Sequence, residues 1–384
     1  MQAHNKWQEA PYAAVRSDPR VIMFLQLPQL WQPFLTWLTA RPAPGEAMRP
    51  ATPLGFVRAA VLWTLAGIAL GLLALAIPAR AAWLLLLPGW LFTCCGLGLF
   101  QVVVFHHCAH GTVFRGRARN RQVGRLLSAL LLFKHFDAYQ REHMLHHSPR
   151  KLLTGEDEFA DFVFTMCGLR PGLAKRALWR RVLWVLASPL FHARFLVRRL
   201  RASVLSPDWA HDAVGIALWT GAAGAAAWAG RPGAFLLLWV LPVTVLLQVA
   251  TVLRILCEHR FPDAAVISAR GKEFVCRATA GVFPGAMPPD RGAGPVAWAG
   301  WWLQMLLVQL PVRLFVLVGD APCHDFHHRR PATRRWTGYI HARQQDADAG
   351  CPGFPLNYGE TWGLFRAIDE NLATLAATPP ELLG

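Results

Sequence analysis

Charged side chains are scarce in this sequence. They make up 16% of its 384 residues, whereas hydrophobic side chains make up 54%. A soluble chain of this length usually has a larger charged share. The apolar residues gather in long uninterrupted runs, which are typical of membrane-spanning segments rather than of a globular core. We therefore expect an integral membrane protein that is in contact with the lipid bilayer.

Acidic residues are fewer than basic ones, at 23 against 39, so the formal net charge is +16. Such an excess raises nucleic acid as a partner. However, the sequence contains no helix-turn-helix, zinc-finger or RNA-binding signature. A basic face against anionic lipid head groups explains both the charge and the hydropathy. We expect no nucleic-acid partner.

Paired cysteine motifs are also missing. None of the eight cysteines forms a CxxC pair, and three of them, Cys108, Cys257 and Cys323, stand beside histidines in segments expected to be cytosolic. Thiols stay reduced in that compartment, so we interpret the cysteines as packing residues. The first twenty residues lack the apolar core of a signal peptide, and insertion is expected to depend on the first membrane helix.

Four apolar segments are candidates for membrane spans, and they fall into two pairs, 57–79 with 81–105 and 213–229 with 234–257. The segments 57–79, 81–105 and 234–257 exceed the roughly 20 residues that cross the hydrocarbon core, whereas the Ala/Gly-rich 213–229 is only marginally long enough. The segments 21–38, 181–197 and 296–318 are interrupted by proline, polar or charged residues, and we expect them to lie in the interface or against the cytosolic part.

The predicted fold is thus an all-α integral membrane fold of four transmembrane helices in two hairpins, with a cytosolic helical cap. Residues 1–56 form a cytosolic or interfacial N-terminal segment, residues 57–335 the membrane domain, and residues 336–384 a cytosolic C-terminal tail. Between His106 and Asp212 there are 18 Lys and Arg, whereas each hairpin loop has one. Because Lys and Arg favour the cytoplasmic side, the regions 106–212 and 258–335 and both termini are expected there.

Histidines form the most informative pattern. HxxxH occurs at 106–110, HxxHH at 143–147 and again at 324–328, and a further histidine follows the last predicted span at 259. With 15 histidines in the chain, random placement predicts roughly 0.02 HxxHH matches, so chance does not account for two. On a helix, positions i, i+3 and i+4 lie on one face, and each cluster can direct its imidazoles to a common point.

These clusters predict a two-metal centre. The topology predicted from the charges places all of them in the cytosol. Two predicted spans separate the second cluster from His259, so the chain returns to the same side of the membrane. Nine imidazoles exceed the four ligands of a tetrahedral zinc, and two metals would use them all. Imidazole suits Fe, Zn, Cu and Ni, so the ligand type leaves the metal open. The predicted ligands are His106, His110, His143, His146, His147, His259, His324, His327 and His328.

Other residues are candidates for supporting these ligands. A metal-bound imidazole usually donates its other N–H to a carboxylate or carbonyl. The candidates are Asp157, Glu258 and Asp325, together with His107, which neighbours the first predicted ligand. No catalytic residue beyond the metal centre is predicted.

The three clusters resemble the histidine boxes of the membrane fatty acid desaturase and hydroxylase superfamily. Here their sequences are HHCAH at 106–110, HMLHH at 143–147 and HDFHH at 324–328. The first directly follows the first pair of predicted spans, and the other two lie in the regions predicted to be cytosolic. The Glu-His pair at 258–259 and the acidic stretch at 156–158 are also similar to the family's layout. The resemblance covers roughly residues 55–335.

This resemblance implies two non-haem iron ions, O2 as co-substrate, two external electrons and C–H activation on a lipid or acyl chain. No HPGG motif of a fused cytochrome b5 domain occurs, so the electron donor is expected to be a separate ferredoxin or cytochrome b5 type protein. We predict an acyl desaturase, although the boxes do not distinguish desaturases from hydroxylases, acetylenases or carotenoid ketolases. A non-enzymatic alternative is a membrane metal transporter or sensor. The predicted spans contain almost no ionisable residues, which argues against an ion path through the membrane.

Overall fold

The computed structural model describes residues 18–48 and 51–383, and these residues are mostly helical. The part of the predicted N-terminal segment before Asp18 lies outside the described residues. The helices from the N-terminus to the second histidine box are α1 (Pro19–Gln26), α2 (Gln32–Thr39), α3 (Pro53–Ala76), α4 (Leu86–Gly98), α5 (His106–Ala109), α6 (Arg117–Leu131) and α7 (Phe136–His146). The central helices are α8 (Glu158–Asp161), α9 (Lys175–Ala187), α10 (Pro189–Val204), α11 (Trp209–Trp228), α12 (Pro232–Phe235) and α13 (Leu247–Glu258). Those that follow are α14 (Ala264–Ala269), α15 (Gly271–Ala278), α16 (Pro295–Gln304), α17 (Leu310–Phe315), α18 (His324–Arg329), α19 (Tyr339–Asp348) and α20 (Leu364–Ala377).

Shorter elements connect these helices. π-helical turns cover Leu99–Phe105, Phe162–Met166, Leu236–Val240, Pro242–Leu246 and Met305–Gln309. 3₁₀ turns cover Gln29–Trp31, Arg80–Leu85, Ala321–Cys323, Arg334–Gly338 and Pro380–Leu382. Two strands, β1 (Gly281–Phe283) and β2 (Glu360–Trp362), form a parallel pair that joins the C-terminal part of the chain to the region after α13.

Three continuous helical stretches in the described part of the chain are long and apolar enough to cross a membrane, Pro53–Ala76, Arg80–Ala109 and Pro232–Glu258. They coincide with the predicted spans 57–79, 81–105 and 234–257, each within a few residues. The remaining predicted span, 213–229, is helical as part of α11, but the first turn of α11 contains His211 and Asp212 and the helix is otherwise rich in Ala and Gly. It does not reach the same apolar level, so four spans in two hairpins stay a prediction.

Small residues bring the first two long helices together. A Cβ at Gly67 of α3 would collide with the Thr93 backbone and the Gly89 carbonyl, and a Cβ at Gly96 of α4 would collide with Thr64 and the Ala60 carbonyl. Close backbone approach through small residues is how membrane helices pack without a hydrophobic driving force. This packing fixes α4, whose π-helical continuation leads directly to the first histidine box.

The chain after α13 packs at the end of the bundle that contains the histidine boxes. His259 leaves the helix with extended backbone and forms an antiparallel bridge with Thr279. The segments predicted to lie in the interface form α9 and α10 and the stretch from α16 to α17, and none of these is among the three candidate spans.

Residues 336–383, which we predicted to be a tail, pack into the fold. Leu364, Ile368, Leu372 and Leu375 place one apolar face of α20 in the main core, where it contacts α13 and α9. Since these four residues recur at helical spacing, the burial follows from the pattern of α20 itself.

Candidate metal centre

The histidine boxes lie at the ends of four separate elements. His106 and His110 are on and just after α5, and the second box occupies the last turn of α7. The third box forms the short helix α18, and His259 directly follows α13. Because all four elements end at the same side of the bundle, the nine predicted ligands meet there.

The nine imidazoles divide into two groups. Within each group the candidate ligand atoms all lie within 4.8 Å of one another. The five-histidine group consists of His106, His110, His143, His147 and His327, and the four-histidine group consists of His146, His259, His324 and His328. Each group could hold one metal ion, so the structure brings together every residue that the boxes predicted.

The two HxxHH boxes are divided between the groups in a reciprocal way. The second box places His143 and His147 in the five-histidine group and His146 in the other, whereas the third box places His324 and His328 in the four-histidine group. Residues i and i+4 are about 40° apart around a helix, but i+3 and i+4 are about 100° apart. Each box therefore directs one pair of rings to one group and a single ring to its neighbour.

The distances between ring nitrogens fit a cation at the centre of the larger group. Nε2 of His327 lies 2.6 Å from Nε2 of His106 and 3.0 Å from that of His147, and Nε2 of His143 lies 3.0 Å from His147 and 2.9 Å from His110. One Nε2 atom offers either one N–H or one lone pair, so this chain of contacts cannot consist of hydrogen bonds alone. Five lone pairs directed at a shared cation remove the conflict.

The four-histidine group has similar spacings. For a metal–nitrogen bond of about 2.1 Å, neighbouring nitrogens lie about 3.0–3.4 Å apart, depending on the angle between the bonds. In the four-histidine group, His324 Nε2 lies 3.2 Å from His259 Nε2 and 3.0 Å from His328 Nε2. These nearest ring nitrogens could therefore also ligate one ion.

Burial favours the neutral form of most of these imidazoles. It lowers the pKa of His110 to about 3, with a further contribution from His107. Burial and the neighbouring imidazoles also lower the pKa well below its ordinary value in His143, His147, His259, His324, His327 and His328. Metals bind the neutral form of histidine, so the packing prepares the rings for ligation.

Asp157 supports the four-histidine group. Its carboxylate oxygens lie 3.0 and 3.1 Å from Nδ1 of His146, and they also accept hydrogen bonds from the backbone N–H groups of Leu153 and Phe159. The side chain is fully buried. A carboxylate held in this way fixes the ring and leaves Nε2 for a metal.

His107 lies beside the five-histidine group but outside it. Its Nε2 is 2.7 Å from Asp320 Oδ2, and its ring stacks on Trp336 at 4.0 Å. Together with His327, the pair His107 and Asp320 forms a third, smaller group of potential ligand atoms. Asp320 was not among the predicted residues, and the only sequence signal for it was an acidic residue four positions before His324.

The other two carboxylate candidates have different partners. Glu258 pairs with Arg254 at 3.3 Å, and Asp325 is hydrogen-bonded to Arg343 and contacts no imidazole in the described part of the chain. Three imidazoles leave Nδ1 without a partner among the described residues, namely His147, His259 and His328.

A cavity of about 290 Å³ adjoins both groups. Five of the predicted ligands line it, and its apolar wall consists largely of aromatic and aliphatic side chains. The wall includes Val102, Phe105, Phe133, Phe159, Phe162, Phe195 and Ile255. Charged residues on the cavity wall are mostly paired, for example Lys134 with Glu158 at 2.8 Å. The arrangement combines an apolar space with two potential metal sites.

Comparison with known families yields one match. The model of the family described as Fatty acid desaturase matches residues 81–336, about two thirds of the chain, and this range contains all nine histidines of the two groups. No curated protein matches the chain.

Proposed function

The chain belongs to the fatty acid desaturase family, and from this membership we propose that it is a membrane oxidoreductase that inserts a C=C bond into a fatty acyl chain. The observation that carries the proposal is the pair of histidine groups beside one apolar cavity. One histidine group alone would account for one metal ion. Because the second and third boxes each contribute histidines to both groups, the two groups together suit a dinuclear centre.

In this proposal each histidine group holds one iron ion. When bound, the two irons supply the activation of O2 and the removal of hydrogen from an unactivated methylene. The supporting carboxylate of Asp157 keeps the His146 ring oriented, and the low pKa of the buried imidazoles keeps their lone pairs available. Histidine-rich ligation leaves the positive charge of the metals uncancelled, which favours binding of a reduced oxygen species.

The cavity wall positions the substrate. Phe105, Phe133, Phe162 and Phe195 surround the space next to the imidazoles, so an acyl chain placed there is separated from water. Desaturation combines O2, two protons and two electrons with the two hydrogens removed from the chain, so that two waters form and the chain becomes an alkene. The electrons come from a separate donor of ferredoxin or cytochrome b5 type.

We further propose that the chain crosses the membrane several times, with the metal centre and both termini in the cytosol. Supporting this orientation, the stretch from His106 to Asp212 contains 18 Lys and Arg. Helix α11 would be the fourth span, because it returns the chain to the side from which Pro232–Glu258 leads back to His259.

The proposal is tested by metal content and products. Protein purified with iron should contain about two irons per chain, and cells that express it should accumulate an unsaturated acyl chain in the presence of O2. His146→Ala and His327→Ala, one from each group, should abolish product formation, whereas His341→Ala, outside both groups, should not.

Each contrary outcome has a clear meaning. An alcohol or ketone product would favour the hydroxylase or ketolase alternative, since those reactions use the same centre. Transmembrane metal flux that does not depend on O2 would favour a transporter or sensor. Activity that survives both substitutions would remove these clusters from the reaction.

A further inference from the structure

The short helix α18 has two functional faces. One face carries His324, His327 and His328, which belong to the two histidine groups, whereas Asp325 and Arg329 lie on the other side. Both of these charged side chains are buried, Asp325 completely and Arg329 with 4% exposure. Buried charges need partners, so the contacts of this rear face show what holds the third box in place.

Asp325 is held by a single guanidinium. Nε of Arg343 donates to both oxygens of Asp325, at 2.9 and 3.1 Å, and a terminal nitrogen donates to Oδ2 at 2.7 Å. Arg343 is itself 1% exposed. A buried two-pronged pair of this kind fixes orientation as well as distance.

Arg343 is immobilised from its other sides. It donates to Glu360 Oε1 at 2.9 Å and to the Gly359 carbonyl at 3.2 Å. Its guanidinium also lies near the rings of Phe283 and Tyr358, at 5.0 and 4.7 Å. The position of Asp325 is thus determined by a side chain that has little freedom of its own.

Arg329, one turn further along α18, is held by the same part of the chain. It donates to the carbonyls of Leu356 and Asn357, at 2.7 and 3.1 Å, and its guanidinium lies 4.2 Å from the Tyr358 ring. We refer to residues 339–360 as the rear clamp. It meets the rear face of α18 with partners for one negative and one positive charge.

The rear clamp lies beyond residue 336, where the family match ends. Its network continues to the N-terminal segment, where Arg41 pairs with Glu360 at 3.0 Å and with Asp18 at 2.9 Å. Residues on both sides of the matched range therefore support a helix inside it.

We propose that Arg343 is a positioning residue for the four-histidine group and that the rear clamp is part of the metal centre. The four-histidine group takes two of its four ligands, His324 and His328, from α18, whereas the five-histidine group takes only His327. A shift of α18 therefore disturbs the smaller group more than the larger. This proposal rests on the proposed metal binding.

Ferrous iron titrated anaerobically into the full-length apoprotein tests the role. The wild type should bind two irons per chain. Arg343→Met should weaken one site tenfold or more and leave the other within about twofold, because a shift of α18 displaces two of the four histidines of the smaller group. Mössbauer spectra should lose the signal of one iron environment and retain the other.

Two related variants and one control sharpen the result. Asp325→Asn removes the charge from the other end of the pair and should give the same one-site loss. Arg343→Lys keeps the charge but not the two-pronged contact, so it should restore part of the affinity. Arg366→Gln is the matched control, because Arg366 is 73% exposed and pairs at 2.9 Å with Glu370 of its own helix α20, outside the rear clamp. It should bind both irons normally.

The outcomes separate the alternatives. Equal weakening of both sites in Arg343→Met, or no weakening in a folded variant, would overturn the positioning role. If Arg343→Met does not fold, Arg343→Lys decides the question in its place. Weaker iron binding at one site would support the positioning role, and equal weakening at both sites would overturn it. A wild type that binds no iron would instead refute the proposed function, and it would do so before any variant is examined.

Discussion

Asp157 offers a sharp test of how the centre is supported. Its two oxygens face three donors, namely the backbone N–H groups of Leu153 and Phe159 and the ring of His146. Asn at this position keeps one oxygen and turns the other into an NH2 group, which then faces an N–H. In either orientation of the amide, one backbone N–H loses its acceptor, and His146 faces a single neutral oxygen instead of a carboxylate.

The expected magnitude follows from these contacts. Loss of the carboxylate behind a metal-bound imidazole weakens binding by about 10–100-fold, or about 1.4–2.7 kcal/mol. Only the four-histidine group contains His146, so one of two irons should be lost first. An unsatisfied buried N–H costs a further 1–3 kcal/mol or so of folding stability.

Iron titration and thermal unfolding in detergent measure the two effects. Glu156→Gln is the matched control, because this neighbouring carboxylate is 59% exposed and, among the described residues, pairs with Lys151 alone. The control should bind two irons with unchanged affinity. If Asp157→Asn did so as well, the contact to His146 would have no part in metal binding.

Further substitutions and conditions test other features of the structure. Gly96→Val should destabilise the protein by about 1–3 kcal/mol, because the side chain collides with α3, whereas Gly224→Val, which has open space in α11, should leave the unfolding temperature unchanged. His107→Phe should keep two irons but lower the unfolding temperature by leaving Asp320 without its partner; loss of an iron would identify His107 as a ligand. The metal-free protein should lose stability as the pH falls below about 6.5. Below that pH the histidines of the unfolded chain bind protons, whereas buried rings of the folded chain such as His110, with a pKa of about 3, stay unprotonated. An unfolding temperature that is equal at pH 7.5 and pH 5.5 would contradict this burial effect.

Much of the membrane part could be predicted because its signals are local. The lengths of the apolar runs predicted three long helices that the structure contains. The exception, α11, is a helix as expected, but His211 and Asp212 in its first turn and its many small residues reduce its hydropathy. Whether such a helix crosses a membrane depends on its neighbours as well as on its own sequence.

The sequence by itself determined which histidines would lie close together. Spacing at i, i+3 and i+4 places their rings on one side of short helices, and the boxes need no tertiary contact to be recognised. It also indicated Asp157, because an acidic residue close to a ligand box often supports a ligand.

Only the tertiary structure decided how the nine histidines divide. His146 and His147 are neighbours in the chain but belong to different groups, because adjacent residues project about 100° apart from a helix and the opposing elements face only one direction each. The partners of Asp325 were hidden for a related reason. Arg343 carries no motif and is distant in sequence from Asp325, and Glu360, which the pairing of β1 and β2 places beside Arg343, helps to hold its guanidinium against Asp325.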